Sequence, residues 1–197
     1  MNRSTIILLS VLGGFVLILL WGVGAYNRLV GLSESTESQW ANVQSAYQRR
    51  ADLIPNLVST VKGYADFEKS TLTDVIEARS KATSVQISAD NLTPEKVAEF
   101  QKAQGELKGA LSRLLVSVER YPDLKANQNF LALQSQLEGT ENRINVERDR
   151  FNEQVRTYNS SVKRIPTSLV AAVGGFEARG YFEAEAEAQD APEVSFE

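Results

Sequence analysis

From Ile6 to Tyr26 the chain carries no charged side chain, and Leu, Ile, Val and Phe fill most of the stretch. A helix needs ~20 such residues to cross the ~30 Å hydrocarbon layer of a bilayer, so this segment predicts one transmembrane span. Trp21 and Tyr26 stand near its far end, where amphipathic rings favour the interface. A cleaved signal peptide is the competing reading. The apolar run exceeds the usual signal core, and Gly22, Gly24 and Ala25 make a poor cleavage site, so an uncleaved anchor is expected. Gly13-Gly14 would let two such helices approach closely. Arg3 and the α-amino group precede the span, whereas Arg28 is the one basic residue in the first stretch beyond it. Basic residues stay cytoplasmic, so the bundle is expected on the outer side.

Several function classes fall away on composition. The chain has no Cys and no His, which excludes thiolate nucleophiles, disulfides, His-ligated metals and Ser-His triads. Six of the 25 acidic residues follow Phe182, which leaves a body of 21 basic and 19 acidic residues. Such a balance has no basic excess to track phosphates, so no nucleic-acid partner is expected.

The remaining apolar residues recur at helical spacing. Trp40, Tyr47, Ile54 and Val61 fall seven apart, with Val43, Leu57 and Tyr64 between them. This stripe keeps its phase past Pro55 and, through Val75, Ile76 and Ala78, predicts a kinked helix reaching about Ala82, a fresh start with Asp52 as cap being the alternative. Thr93-Pro94-Glu95 reads as the cap, first residue and first-turn acid of a second helix. Its seam is Val97, Phe100, Leu107, Leu111, Leu114, Val118 and Tyr121, interrupted by Gln104. Pro122 ends it, and a third helix follows with Phe130, Leu137, Ile144, Phe151, Tyr158 and Ile165 at sevens, Leu133 and Thr140 between. Pro166 closes that helix. The run from Leu169 to Val173 is too short to span a bilayer and is expected to dock on the bundle or lie at its end.

A strict seven-residue repeat favours left-handed supercoiled packing. The predicted fold is therefore all-α: a single N-terminal transmembrane helix followed by an elongated antiparallel bundle of three or four long helices. The organisation expected is tail and span at residues 1–27, bundle at residues 28–182, and an acidic, disordered tail at residues 183–197.

Arg49-Arg50-Ala-Asp52-Leu53-Ile54-Pro55-Asn56-Leu57-Val58, continuing to Val61-Lys62-Gly63-Tyr64-Ala65, resembles the signature of the LemA family of bacterial membrane proteins. Further matching blocks are Tyr121 to Asn127 with Phe130, Gly139 to Ile144, Tyr158-Asn159 and Tyr181-Phe182, together with the apolar helix ahead of Tyr26-Asn27. The acidic tail lies outside this resemblance. The family likeness implies an α-helical bundle on a membrane anchor, in a bacterial inner membrane, with no catalytic chemistry and no cofactor.

The candidate interaction or polar-core residues are Arg49, Arg50, Asp52, Asn56, Glu141, Asn142 and Arg143. Arg50 occupies a seam position where the period asks for an apolar residue. Its guanidinium suits a carboxylate or an anionic headgroup, but an internal salt bridge to Glu141 or Glu147 is the favoured reading. Asn56 beside Pro55 suits packing, or satisfaction of carbonyls that the proline frees. Glu141, Glu147 and Asp149 are the carboxylates an acid/base enzyme would use, yet no nucleophile motif or Gly-rich loop accompanies them. The function expected is a non-enzymatic, self-associating membrane scaffold, attached through residues 6–26 and bound to further copies or to another membrane-associated protein. A lipid-binding or membrane-shaping role resting on Arg28 and Arg49-Arg50 is the alternative, and a carboxylate enzyme ranks below it.

Overall fold

The computed structural model describes residues 2–63 and 68–184, and these are all-α. α1 runs from Arg3 to Lys62, a single 60-residue helix without interruption. The apolar span and the first bundle helix are therefore one element. Its first part is long and apolar enough to cross a membrane and is not covered by the rest of the protein. Burial begins at Leu29.

Pro55 does not break α1. A helical proline has no N–H to offer the carbonyl four residues back, here Ala51. Arg79, on α2 (Lys69–Ser84), donates its Nε–H to that oxygen at 2.8 Å. That vacancy is thus filled from a neighbouring helix, and Asn56, expected to pack or else to serve those carbonyls, stands exposed.

The first bundle helix does not continue to Ala82. It ends at Gly63, which disfavours helix, and the chain returns as α2. Tyr64 lies outside the described residues. α3 (Pro94–Val118) starts as expected, with the Thr93 side chain accepting from the Lys96 N–H. After the short α4 (Pro122–Lys125), the Asn127 side chain caps α5 (Gln128–Lys163) by accepting from the Asn129 and Phe130 amides at 3.0 and 3.1 Å. α6 (Thr167–Gly174) closes on Gly175, whose φ of 72° is the left-handed conformation that glycine adopts freely. Ile165, expected on the third seam, falls past the end of α5 and is 82% exposed.

Cross-helix pairs fix the directions. Trp40 packs on Phe151 and Arg50 meets Glu141, so α5 runs antiparallel to α1. Arg79 meets Ala51 while Trp40 meets Ile87, so α2 and its exit loop also run back along α1. Tyr47 packs on Phe100 and Arg50 reaches Gln104, so α3 is parallel to α1. The return of α2 is what reverses the expected sense of α3. The product is an up-down-up-down bundle of four long helices among the described residues, in closest contact between α1 and α5 and between α2 and α3.

The core divides along its length. Away from the apolar span it is mainly aliphatic, built on Ile54, Leu57, Val61, Val75, Leu107 and Leu114 with Phe130 as its one fully buried ring among the described residues. Nearer the span it is aromatic, built on Trp40, Tyr47, Phe100, Phe151 and Phe182. Phe182 belongs to no helix. It sits in an extended segment after α6, whose Gly180 donates its N–H to the Leu92 carbonyl at 2.9 Å. A Cβ at Gly180 would fall 2.7 Å from Pro94 Cα, so only glycine permits this approach.

Candidate functional site

Between the aliphatic and aromatic halves lies a charged cluster inside the bundle. Arg50 is 3% exposed. Its Nη1 donates to Glu141 Oε2 at 3.0 Å, and its Nη2 donates to the Gln104 side-chain and main-chain oxygens at 2.7 and 3.1 Å. The guanidinium also lies 5.1 Å from the Tyr47 ring centroid. Gln104 in turn donates to the Ala82 carbonyl at 3.1 Å, tying α2 to α3. Arg50 Nε is buried without a hydrogen-bond partner among the described residues. The two seam irregularities seen in the sequence, Arg50 and Gln104, are thus one network joining α1, α3 and α5.

Glu141 also takes Lys108 Nζ at 3.4 Å. Arg143 is mostly exposed, reaching Glu147 at 3.9 Å. Glu147 is buried, and the Gln39 amide donates to it at 2.8 Å. Arg49, Asp52, Asn142 and Asp149 are exposed, Asp52 accepting from Gln48 at 2.7 Å. The structure therefore brings together Arg50 and Glu141 and leaves Arg49, Asp52, Asn56 and Asn142 at the surface. Glu141 and Glu147 have their oxygens engaged by internal donors.

An open cleft of about 470 Å³ flanks the cluster. Lys102, Lys108 and Arg148 join Arg50 there against Glu141, and Gly105 and Gly109 keep its α3 wall low.

Sequence reasoning missed the second buried arginine. Arg179, 8% exposed, pairs with Glu37 at 2.6 Å, donates to the Ser33 hydroxyl and carbonyl at 2.7 and 3.1 Å, and lies 4.8 Å from the Tyr158 ring centroid. Burial raises the Tyr158 hydroxyl above its ordinary pKa, opposed by the Arg179 charge.

Three side-chain amides then hold the segment that carries Arg179, each by accepting from one backbone N–H and donating to the carbonyl of the same residue. Asn159 does so for Arg179, both at 2.8 Å. Asn152 does so for Phe182 at 2.9 and 2.8 Å, and Gln101 for Glu183 at 3.0 and 2.8 Å. Arg148 adds a donor to the Glu183 carbonyl at 2.9 Å. Glu183, expected to open the acidic tail, is thereby part of the bundle. Residues 185–197, where disorder was expected, lie outside the described residues. The signal available was Asn152 and Asn159, seven apart and each one position after an aromatic seam residue.

An uninterrupted apolar helix carrying a four-helix bundle, its interior charges consumed by contacts among its own elements, defines a membrane-associated all-α protein. Sequence comparison agrees. The chain belongs to the LemA family, whose profile matches residues 39–196. The match starts beyond the apolar span and reaches into the acidic end that the motif blocks had left out. Among its relatives, magnetosome protein MamQ 2 of Paramagnetospirillum magneticum is 27% identical over 189 residues, covering 86% of this chain and 68% of the relative. Magnetosome protein MamQ of Magnetospirillum gryphiswaldense is 26% identical with the same coverage. Protein LemA of Metamycoplasma hominis is 26% identical over 149 residues, covering 76% of this chain and 64% of that protein.

Proposed function

We propose that this protein is a non-enzymatic scaffold that sits in the bacterial inner membrane through residues 6–26, holds its bundle on the outer side, and assembles with further copies of itself. The observation that carries this reading is the continuity of α1, which joins span and bundle without a hinge. A rigid rod fixed to an anchor presents a defined surface to neighbours in the same membrane. The internal use of Arg50, Glu141 and Glu147 supports a structural role for the charges that an enzyme would have exposed to substrate. Gly13 and Gly14, with open space around both, support close approach of a second span.

The test is the mass of the full chain extracted in detergent and in nanodiscs. A defined oligomer that persists in both is the expected result. A strict monomer in both overturns self-association and leaves a different membrane protein as the partner. The lipid alternative loses its basis at Arg49-Arg50, because that pair stands about 30 Å along α1 from Arg28 and Arg50 is buried.

A further inference from the structure

Outside the apolar span, the large exposed apolar side chains of the described bundle stand singly on α2, α3 and α5 and, at Tyr181, after α6, except in one place. Ile165, Leu169 and Val173 are 82%, 68% and 92% exposed and recur every four residues, on the turn before α6 and along it. Pro166 and Ala172 are exposed between them. α6 contains no charged residue, and its opposite face, centred on Ala171, is buried. An eight-residue helix that turns an unbroken apolar face outward is an unfavourable arrangement in water.

Its position in the fold accounts for that face. The antiparallel register of α1 and α5, carried on from Trp40 and Phe151, brings the end of α5 to the level of Arg28. α6 packs against both helices there. The Tyr26 ring meets the Phe176 ring edge-on at 5.4 Å, and the Gly174 position faces the same tyrosine. Ahead of Leu29, Gly22 and Ala25 are the described residues of α1 that lose part of their exposure, on the stripe leading to Leu29. α6 therefore sits where the apolar span ends, at the height of the membrane interface. Lys163 and Arg164 are exposed immediately before it and Arg28 lies alongside, with Glu177 as the opposing charge after it.

We propose that α6 is a lipid-contacting helix, seating Ile165, Leu169, Ala172 and Val173 in the headgroup and upper acyl region of the bilayer while Lys163 and Arg164 meet lipid phosphates. Two features select lipid over a second protein: the face is continuous with the bilayer-facing surface of α1, and its basic flank complements anionic headgroups. The inference goes beyond the scaffold reading but rests on α1 crossing the bilayer. It gives the bundle a second membrane contact beside the span.

Because the chain has no cysteine, single labels report cleanly. Full-length V173C, L12C and V116C carry an environment-sensitive fluorophore in vesicles of phosphatidylcholine and phosphatidylglycerol, quenched by lipids brominated at defined depths. L12C, mid-span, and V116C, an exposed valine at the far end of the bundle, are the controls. The expected result is strong deep quenching at L12C, shallow quenching with a blue-shifted emission at V173C, and none at V116C. Adding K163Q and R164Q to V173C should reduce its quenching in vesicles rich in phosphatidylglycerol. Quenching at L12C without quenching at V173C overturns the α6 proposal and leaves the anchor intact. Failure at L12C overturns the anchor, and with it both readings. A V173C label that is shielded from water and escapes lipid quenching, while the unlabelled V173C chain forms a disulfide between copies under an added oxidant, replaces lipid by a second protomer.

Discussion

The two halves of the bundle core are held by different means. Among the described residues the aliphatic half is closed by helix seams, with Leu57, Val61, Val75, Leu107 and Leu114 meeting across α1, α2 and α3. The aromatic half is closed by helices and a plug: Phe182 enters among Trp40, Tyr47, Phe100 and Phe151 at centroid distances of 5.5 to 6.5 Å. A heptad seam buries side chains by repetition, so one lost contact leaves its neighbours in place. A plug depends on a few side chains that hold an otherwise irregular segment in place. The half next to the membrane is therefore the one whose closure can be undone by a single residue.

The largest effect should come from Phe182→Ala, which removes the plug at a cost of about 3–5 kcal/mol. Hydrogen exchange should rise around Trp40, Phe100 and Phe151 while Val61, Val75 and Leu114 remain protected. Leu114→Ala, costing about 2–5 kcal/mol by the same cavity argument, should produce the opposite pattern. If both variants loosen the whole bundle equally, the two halves are one cooperative unit and the contrast fails. Arg50→Met, at the boundary, should cost about 2 kcal/mol in denaturant melts of the detergent-solubilised chain, because Gln104 and Glu141 lose their buried donor. Part of that loss should return in Arg50→Met/Glu141→Gln, and a fully additive double variant would show that the pair is not coupled.

Asn159→Ala should cost about 1–2 kcal/mol, since the Arg179 backbone then loses both partners in a buried setting. Protease cleavage after Arg179 should accelerate in this variant, and an unchanged rate would count against the clamp. The smallest effect separates the halves from the other side. Arg79→Ala should cost about 1 kcal/mol in the native background and close to nothing in Pro55→Ala, where residue 55 regains an N–H for the Ala51 carbonyl. Equal costs in both backgrounds would mean that Arg79 acts elsewhere.

The seams up to Tyr158, the cap at Thr93 and the irregular seam residue Arg50 were legible in the sequence, because each follows a local or periodic rule, whereas the Asn127 cap was not singled out. The stop at Gly63 was not. The apolar stripe resumes at Val75, Ile76 and Ala78, and periodicity alone does not distinguish a continuing helix from one that returns beside itself. That ambiguity also inverted the direction of α3. The Arg179 site stayed hidden for a different reason. Its segment has no period, and Asn152 and Asn159, one step off the seam, acquire their partners only where the extended segment after α6 reaches their amides. Asn56 neither packs nor serves the proline vacancy, which is met by Arg79, distant in sequence and unmarked by any motif. The organisation into residues 1–27 and 28–182 follows composition, whereas α1 passes that boundary as one helix.

That passage has a mechanical consequence. From the level of Tyr26 to Lys62, α1 extends about 54 Å beyond the span at 1.5 Å per residue. With no flexible joint between them, seating the apolar part in a bilayer as proposed would make the helix a lever with its fulcrum there: a change of tilt of about 10° in the span would sweep the far tip through roughly 9 Å. Local membrane thickness or curvature, which set such tilts, would thus be converted into displacement at the end of the rod most remote from the lipid.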